Sequence, residues 1–194
     1  MTDFRALTLY VVRHGECEHN AAGWAAGHDD SPLTAKGREQ ARANGKLLAE
    51  IADDLGALDF FASSLHRTCT TMELLREAAG LPATGYHADR RLMEGNLGEH
   101  SRQRVQDVLR PADTSPDPWN YPRPDGESVA QVFERVGRFL ATLRRDAVIV
   151  THALPVIAIR GHYLRLSPEQ TMRYHVGNAG CLRLSTGSEA RFGD

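Results

Sequence analysis

Cysteine is scarce and shows no pairing pattern: Cys17, Cys69 and Cys181 are far apart, odd in number and form no Cys-x-x-Cys. Such usage points to free thiols rather than a disulfide framework. Long apolar runs are absent as well, none approaching the roughly 20 residues needed to span a bilayer. The opening Met1-Thr2-Asp3-Phe4-Arg5 lacks the basic-then-apolar pattern of a secretory signal. The expected location is therefore the cytoplasm, and no membrane partner is implied. A formal net charge of −2 gives no overall basic field. Nucleic acid is not an expected partner, although a local cluster of arginines can still bind a small anion. No Gly-x-x-x-x-Gly-Lys-Ser/Thr or Gly-x-Ser-x-Gly occurs, which leaves a P-loop kinase and a serine hydrolase without support. Of the nine histidines, His14, His19 and His28 lie near Cys17, at spacings of five and nine that match no His-Glu-x-x-His or Cys-x-x-Cys zinc site.

What is present is an ordinary globular composition, 41% hydrophobic and 25% charged. The length suits one domain with a substantial core, and we read residues 1–194 as a single domain. The nearly continuous run Leu7-Thr8-Leu9-Tyr10-Val11-Val12 predicts a strand over 7–13, buried on both faces. Thr34 fits the N-cap of a helix over about 35–54, with Ala41, Leu47, Leu48 and Ile51 on one face. Leu58-Asp59-Phe60-Phe61-Ala62 reads as a second strand ending at Ser63-Ser64. A helix follows whose buried stripe is Cys69, Met72, Leu75 and Ala79, closed by Gly80 and Pro82. Residues 84–92 form a short extended segment. Asp125 is placed to cap a helix with the stripe Val129, Val132, Phe133, Val136, Phe139, Leu140 and Leu143. Residues 147–151 read as a buried strand ending at His152, 154–163 as a helix with Pro155 in its first turn, and 181–184 as the last strand.

This alternation predicts an α/β fold, a three-layer α/β/α sandwich with a largely parallel central sheet. Between Gly95 and Pro124 the pattern breaks up among Pro111, Pro116, Pro118, Pro122 and the aromatics Trp119 and Tyr121. A lid-like insertion at about 95–125 is expected there, because long unpatterned stretches in compact domains are usually functional.

The first strand ends at Arg13 and His14, and Gly15 then lets the backbone turn sharply. In open α/β sheets, ligands bind at the carboxyl ends of the strands. A guanidinium offers a fixed fork of donors suited to phosphate, and an imidazole can serve as nucleophile, acid or base near neutral pH. Arg67, in the first turn after the second strand, and His152, at the end of another, fall on the same rim. Arg13 and Arg67 can hold phosphoryl oxygens while His152 donates a further hydrogen bond. The positive surroundings disfavour protonation of His14 and so leave one ring nitrogen with a free lone pair. Trp24, the one large apolar group in the 20–33 loop, either anchors that loop or lines the pocket.

Further stretches follow in order: Asp30-Ser31-Pro32-Leu33-Thr34 with Gly37, Ala62-Ser63-Ser64-Leu65-His66-Arg67-Thr68, Arg91-Leu92-Met93-Glu94, Pro124-Asp125-Gly126-Glu127-Ser128 and Val148-Ile149-Val150-Thr151-His152-Ala153. Together with Arg13-His14-Gly15, this set resembles the histidine phosphatase superfamily, the phosphoglycerate mutase-like family, over most of the chain. The resemblance implies that His14 accepts the phosphoryl group as a phosphohistidine that water later hydrolyses. It implies that Glu94 protonates the leaving alkoxide and then activates the water, and that Arg67 is the second phosphate-binding arginine. Asn20 matches a residue that orients the phosphate, or it caps the loop. No cofactor and no metal are implied.

The reading favoured is metal-independent hydrolysis of a small phosphorylated metabolite. A cofactor-dependent phosphoglycerate mutase and a non-catalytic phospholigand-binding relative are the alternatives. Mutases of this family usually carry longer, arginine-rich insertions, whereas the middle segment here offers Arg102, Arg104, Arg110 and Arg123. The sequence departs from the family pattern at Cys17, where Thr or Ser is usual and a hydroxyl near the phosphate is replaced by a thiol. It also departs at Ser101-Arg102, where Glu-Gly is frequent, and at Ala153-Leu154-Pro155, where glycines are common.

Overall fold

A computed structural model of the chain describes residues 3–108 and 114–193. Its strands are β1 (Leu9–Arg13), β2 (Asp59–Ser63), β3 (His87–Asp89), β4 (Ala147–Thr151), β5 (Cys181–Ser185) and β6 (Ser188–Phe192). Its helices include α1 (Glu18–Ala21), α2 (Ala35–Ile51), α3 (His66–Ala78), α4 (Val129–Leu140), α5 (Ala153–Leu164) and α6 (Pro168–Met172). The strands form one sheet in the order β3-β2-β4-β1-β5-β6. The first four positions of that order run parallel, while β5 returns antiparallel on β1 and β6 antiparallel on β5. Because β1, β2 and β4 are parallel neighbours, residues just past Arg13, Ser63 and Thr151 emerge on one rim.

Side-chain alternation along the strands builds two cores. Leu9, Val11, Ala147 and Ile149 face Val132, Val136 and Phe139 of α4 and Val156 and Ile159 of α5. Tyr10, Val12, Val148 and Val150 face Leu48 of α2 and Met72 and Leu75 of α3. Both faces of β1 and β4 are thus covered, which is why their sequences are apolar without a break. The expected three-layer α/β/α arrangement holds.

Local differences have identifiable causes. The cap of α4 is Ser128 rather than Asp125. Ser128 Oγ accepts from Gln131 N (3.3 Å) and Ser128 N donates to Gln131 Oε1 (2.8 Å), a reciprocal box, while Asp125 sits in the preceding turn at φ +51°. Helix α2 ends at Ile51, short of 54, and Cys69 is only half-buried, its thiol donating to the Ser63 carbonyl. Leu143 is buried but lies beyond the end of α4. Strand β6 and helix α6 were not expected. The first closes a hairpin on the two-residue turn Thr186-Gly187, both at positive φ (47° and 75°), and its sequence carries little apolar alternation. The second begins with Ser167 capping Gln170 and Pro168 in the first turn, a short signal outside any apolar period.

Gly15 is required by contact rather than by a turn. A Cβ there would lie 2.1 Å from Gly37 O, and one on Gly37 would lie 2.0 Å from Glu16 O. The loop after β1 therefore rests backbone to backbone on the first turn of α2, which Thr34 caps by accepting from Gly37 N (3.0 Å). The described residues of the 95–125 segment include a 3-10 turn, Gly98–His100, and a helical stretch at 105–108, and Trp119 packs edge-on against Phe133 of α4. Arg110 and Pro111 lie outside the described residues. Among those described, no helix is long and apolar enough to cross a membrane, and Cys17, Cys69 and Cys181 are free thiols.

The Gly15–Gly37 contact leaves no room for a methyl group. Gly37→Ala should lower the free energy of unfolding by about 1–3 kcal/mol in a denaturant titration. Unchanged stability would refute the contact as a constraint.

Candidate active site

A cavity of about 450 Å³ opens at the strand-end rim, and Arg13, His14, Asn20, Arg67 and Glu94 all reach its wall. His14 follows β1 directly. Its N–H donates to Thr151 O (2.8 Å), the last carbonyl of β4, and its own carbonyl accepts from Asn178 Nδ2 (2.9 Å). Its Nδ1 lies 2.8 Å from the Gly15 carbonyl, which can only accept, so Nδ1 carries the proton and Nε2 keeps its lone pair. Arg67 Nε donates toward that lone pair at 3.3 Å.

Arg67 projects from the first turn of α3 and is 1% exposed. Its guanidinium donates to Asp29 O (2.9 Å), Asp30 Oδ1 (3.0 Å) and Gly27 O (2.8 Å), so one buried cation gathers the whole 27–30 loop. Asp30 also accepts from the His66 backbone N–H, which fixes the start of α3. Arg13 is held from the other side, donating from Nη1 to Val176 O (2.8 Å).

His152 is fully buried behind His14, ring centroids 5.0 Å apart, and does not itself form the cavity wall. Its Nε2 meets Ser63 Oγ at 2.8 Å, and that oxygen already accepts from Leu65 N (3.4 Å). The Ser63 hydroxyl, with one proton and two lone pairs, can donate to or accept from Nε2, and His152 Nδ1 is a buried atom with no partner among the described residues.

Glu94 is held from two directions. Its Oε1 accepts from Gly95 N (3.0 Å) and from Leu154 N (3.2 Å) in the first turn of α5. Its backbone carbonyl accepts from His28 Nε2 (2.9 Å) and Arg135 Nη2 (2.8 Å). Arg135 also donates to Arg91 O (2.8 Å) and Met93 O (2.7 Å) and pairs with Glu127 (2.8 and 2.9 Å). Asn20 uses its side-chain oxygen to accept from Cys17 N (3.3 Å) and Cys17 Sγ (3.2 Å). Trp24 fulfils both readings of it. It reaches the cavity wall, and it is anchored by a backbone bridge to Arg104, whose guanidinium lies 4.3 Å over the indole.

A family model for the histidine phosphatase superfamily (branch 1) matches residues 9–192. The chain belongs to this superfamily. It is 34% identical over 145 residues to a Salmonella arizonae protein named probable phosphoglycerate mutase GpmB, in a match covering 70% of this chain and 62% of that protein. The chain thus spans less than two thirds of that relative's length. Among solved structures, the product of the open reading frame Rv3214 from Mycobacterium tuberculosis superposes with a TM-score of 0.78 at 26% identity, covering 96% of this chain and 95% of the other. A mycobacterial glucosyl-3-phosphoglycerate phosphatase, Rv2419c, superposes with a TM-score of 0.76 at 25% identity, covering 97% and 98%.

The departures of this superfamily member from the usual pattern find local roles. The Cys17 thiol is directed to Asn20 and is fully buried, so it acts within the turn of α1. Arg102, at φ +63°, forks onto the Asp29 carboxylate (2.5 and 3.0 Å), and the Asp29 carbonyl is one of the acceptors of Arg67. Leu154 supplies an N–H to Glu94, and Pro155 sits in the first turn of α5, where a missing N–H does no harm. Asp30 and its partners His66 and Arg67 lie inside motifs visible in the sequence, as does Glu127, but Arg135, the partner of Glu127, does not. Arg135 and Asn178 lie outside those motifs, and Ser63, though inside one, matters through its contact with the distant His152.

Burial holds both His14 and His152 well below the usual imidazole range, with the Arg67 and Arg13 charges pushing the same way. The unfolded chain then binds protons below pH ~6.5 that the folded one refuses, so stability falls as pH drops through that range. Each imidazole should steepen the decline by up to about 1.4 kcal/mol per pH unit. Denaturation of wild type and His14→Gln between pH 7.5 and 5 checks this: the variant should show the shallower slope, and equal slopes would contradict it.

Proposed function

We propose that the chain is a phosphomonoester hydrolase working through a phosphohistidine at His14. The observation that carries this reading is the unprotonated Nε2 of a buried imidazole, set against Arg67 on a cavity wall shared with Arg13 and Glu94. In the first step the Nε2 lone pair attacks phosphorus. An N–P bond forms as the ester P–O bond breaks, and the Glu94 carboxylic acid gives its proton to the leaving alkoxide. In the second step water passes a proton to the Glu94 carboxylate as its oxygen attacks phosphorus. The N–P bond breaks, inorganic phosphate leaves, and His14 and the acid are restored. Arg13 and Arg67 hold the phosphoryl oxygens, whose charge dominates the energetics of the transfer. The Asn20 amide completes the cradle, and His152, buried behind His14, supports that imidazole rather than the phosphoryl group. The scheme calls on no metal or cofactor.

The name of the Salmonella relative raises a second reading, in which the phosphoryl group returns to a phosphoglycerate. Beyond the cradle, however, the cavity walls are mostly hydrocarbon, a poor setting for the substrate's additional carboxylate. Hydrolysis of an aryl phosphate should persist in chelator and yield an acid-labile, base-stable phosphoenzyme. Both should fall about a thousandfold or more in His14→Ala. Turnover surviving that substitution, or interconversion of 2- and 3-phosphoglycerate outpacing phosphate release, would overturn the proposal.

Arg135 and Glu127 act on this scheme through the backbone that carries Glu94. Arg135→Met should lower kcat for alkyl phosphates, which need the proton, by about a hundredfold. A dinitrophenyl phosphate, whose leaving group needs none, should be affected far less. Equal losses on both substrates would assign the pair to stability alone.

A further inference from the structure

Beyond the phosphate cradle the cavity changes character abruptly. Among the described residues, the ionisable groups on its wall outside Arg13, His14, Arg67 and Glu94 are Arg123, Tyr174 and His175. Arg123 is directed to the backbone, donating to Glu127 O (2.7 Å). The Tyr174 hydroxyl accepts from Arg191 Nε (2.9 Å), and its ring lies between Arg160 and Arg191 at 4.5 and 4.2 Å. The remaining surface is built from side chains such as Trp24, Leu97, Val105, Leu154, Ile157 and Met172. These come from four separate parts of the chain: the loop after β1, the 95–125 segment, α5 and α6. Val105 is 40% exposed and is the one exposed large hydrophobic among the described residues. An apolar side chain left in water at the mouth of an apolar chamber is covered when hydrocarbon fills that chamber.

Resting on the hydrolase reading, we propose that the substrate is a monophosphate ester of a predominantly hydrocarbon alcohol. The phosphoryl group lies on His14 and the alkyl or aryl part lies against the Trp24–Leu97–Ile157 walls. The volume, about 450 Å³, is in the range that encloses a drug-sized organic molecule and exceeds what a three-carbon acid needs. Sugar hydroxyls or an additional carboxylate placed against these walls would lose water without gaining partners. Hydrocarbon placed there gains from each methylene removed from water. The cradle then selects the phosphate, and the chamber selects the alcohol.

A series of n-alkyl phosphates separates chamber from chemistry, because the leaving alcohols differ little in acidity along it. From ethyl through butyl to octyl phosphate, kcat/KM should rise by roughly fourfold per methylene until the chamber fills. Glycerol 3-phosphate and 3-phosphoglycerate should fall below butyl phosphate. Val105→Glu, at an exposed position where the fold tolerates charge, should cut the octyl-to-ethyl ratio of kcat/KM by at least about tenfold. A series flat in chain length, a preference for either polar substrate, or an unmoved ratio in the Val105 variant would overturn this assignment while leaving the hydrolase reading intact. Absence of turnover on every ester together with absence of label on His14 would instead remove the hydrolase reading and this one with it.

Discussion

The buried guanidinium of Arg67 is the interaction on which the site depends. A cation only 1% exposed is tolerable when most of its N–H groups find acceptors, and here the carbonyls of Gly27 and Asp29, the Asp30 carboxylate and His14 Nε2 supply them. Satisfying one charge thereby folds the 27–30 loop over the rim, fixes the start of α3 and orients the imidazole at the end of β1. Asp30 pairs with Arg67, while the Arg13 and Arg67 guanidinium groups set His14 in positive surroundings. Those surroundings are complementary to a phosphoryl dianion and unfavourable to a protonated His14.

A second anchor works by the same logic on the opposite wall. Arg135, from the middle of α4, binds the carbonyls of Arg91, Met93 and Glu94 and is neutralised by Glu127. The backbone of this stretch is tied down through its carbonyls by one fixed cationic partner. The Glu94 carboxylate then meets two N–H groups, one of them in the first turn of α5, whose preceding residue is His152. The acid and the two imidazoles are thus referred to the same sheet edge through short connections, which suits chemistry that tolerates little positional error.

Between these anchors lies the chamber, assembled from segments with no common sequence pattern. The departures at Cys17 and Arg102 belong to its support: one tightens the turn carrying Asn20, and the other clamps the 95–125 segment to Asp29. Trp24 is held by the Arg104 bridge and by cation–π contact, so the same residue serves as strut and as wall.

Much was determined by sequence alone. Apolar runs long enough to be buried on both faces required central parallel strands, and helical periods between them required covering layers. Charged residues at three strand ends then had to share a rim, so Arg13, His14, Arg67 and His152 were legible as a group. Glu94 and Asn20 were legible through the family resemblance. Helix ends were read less well where a local box, Ser128 with Gln131, displaced the more obvious Asp125. The hairpin to β6 was invisible because an exposed edge strand needs no apolar alternation. Only the tertiary structure decided which ring nitrogen of His14 is unprotonated, that His152 stands behind rather than on the wall, and that Arg135, Ser63 and Asn178 support the site. The physical reason is common to all of these. Periodicity records what a residue does with its own element, whereas tautomers, buried charges and cavity walls are set by partners that the chain brings close from dozens of residues away.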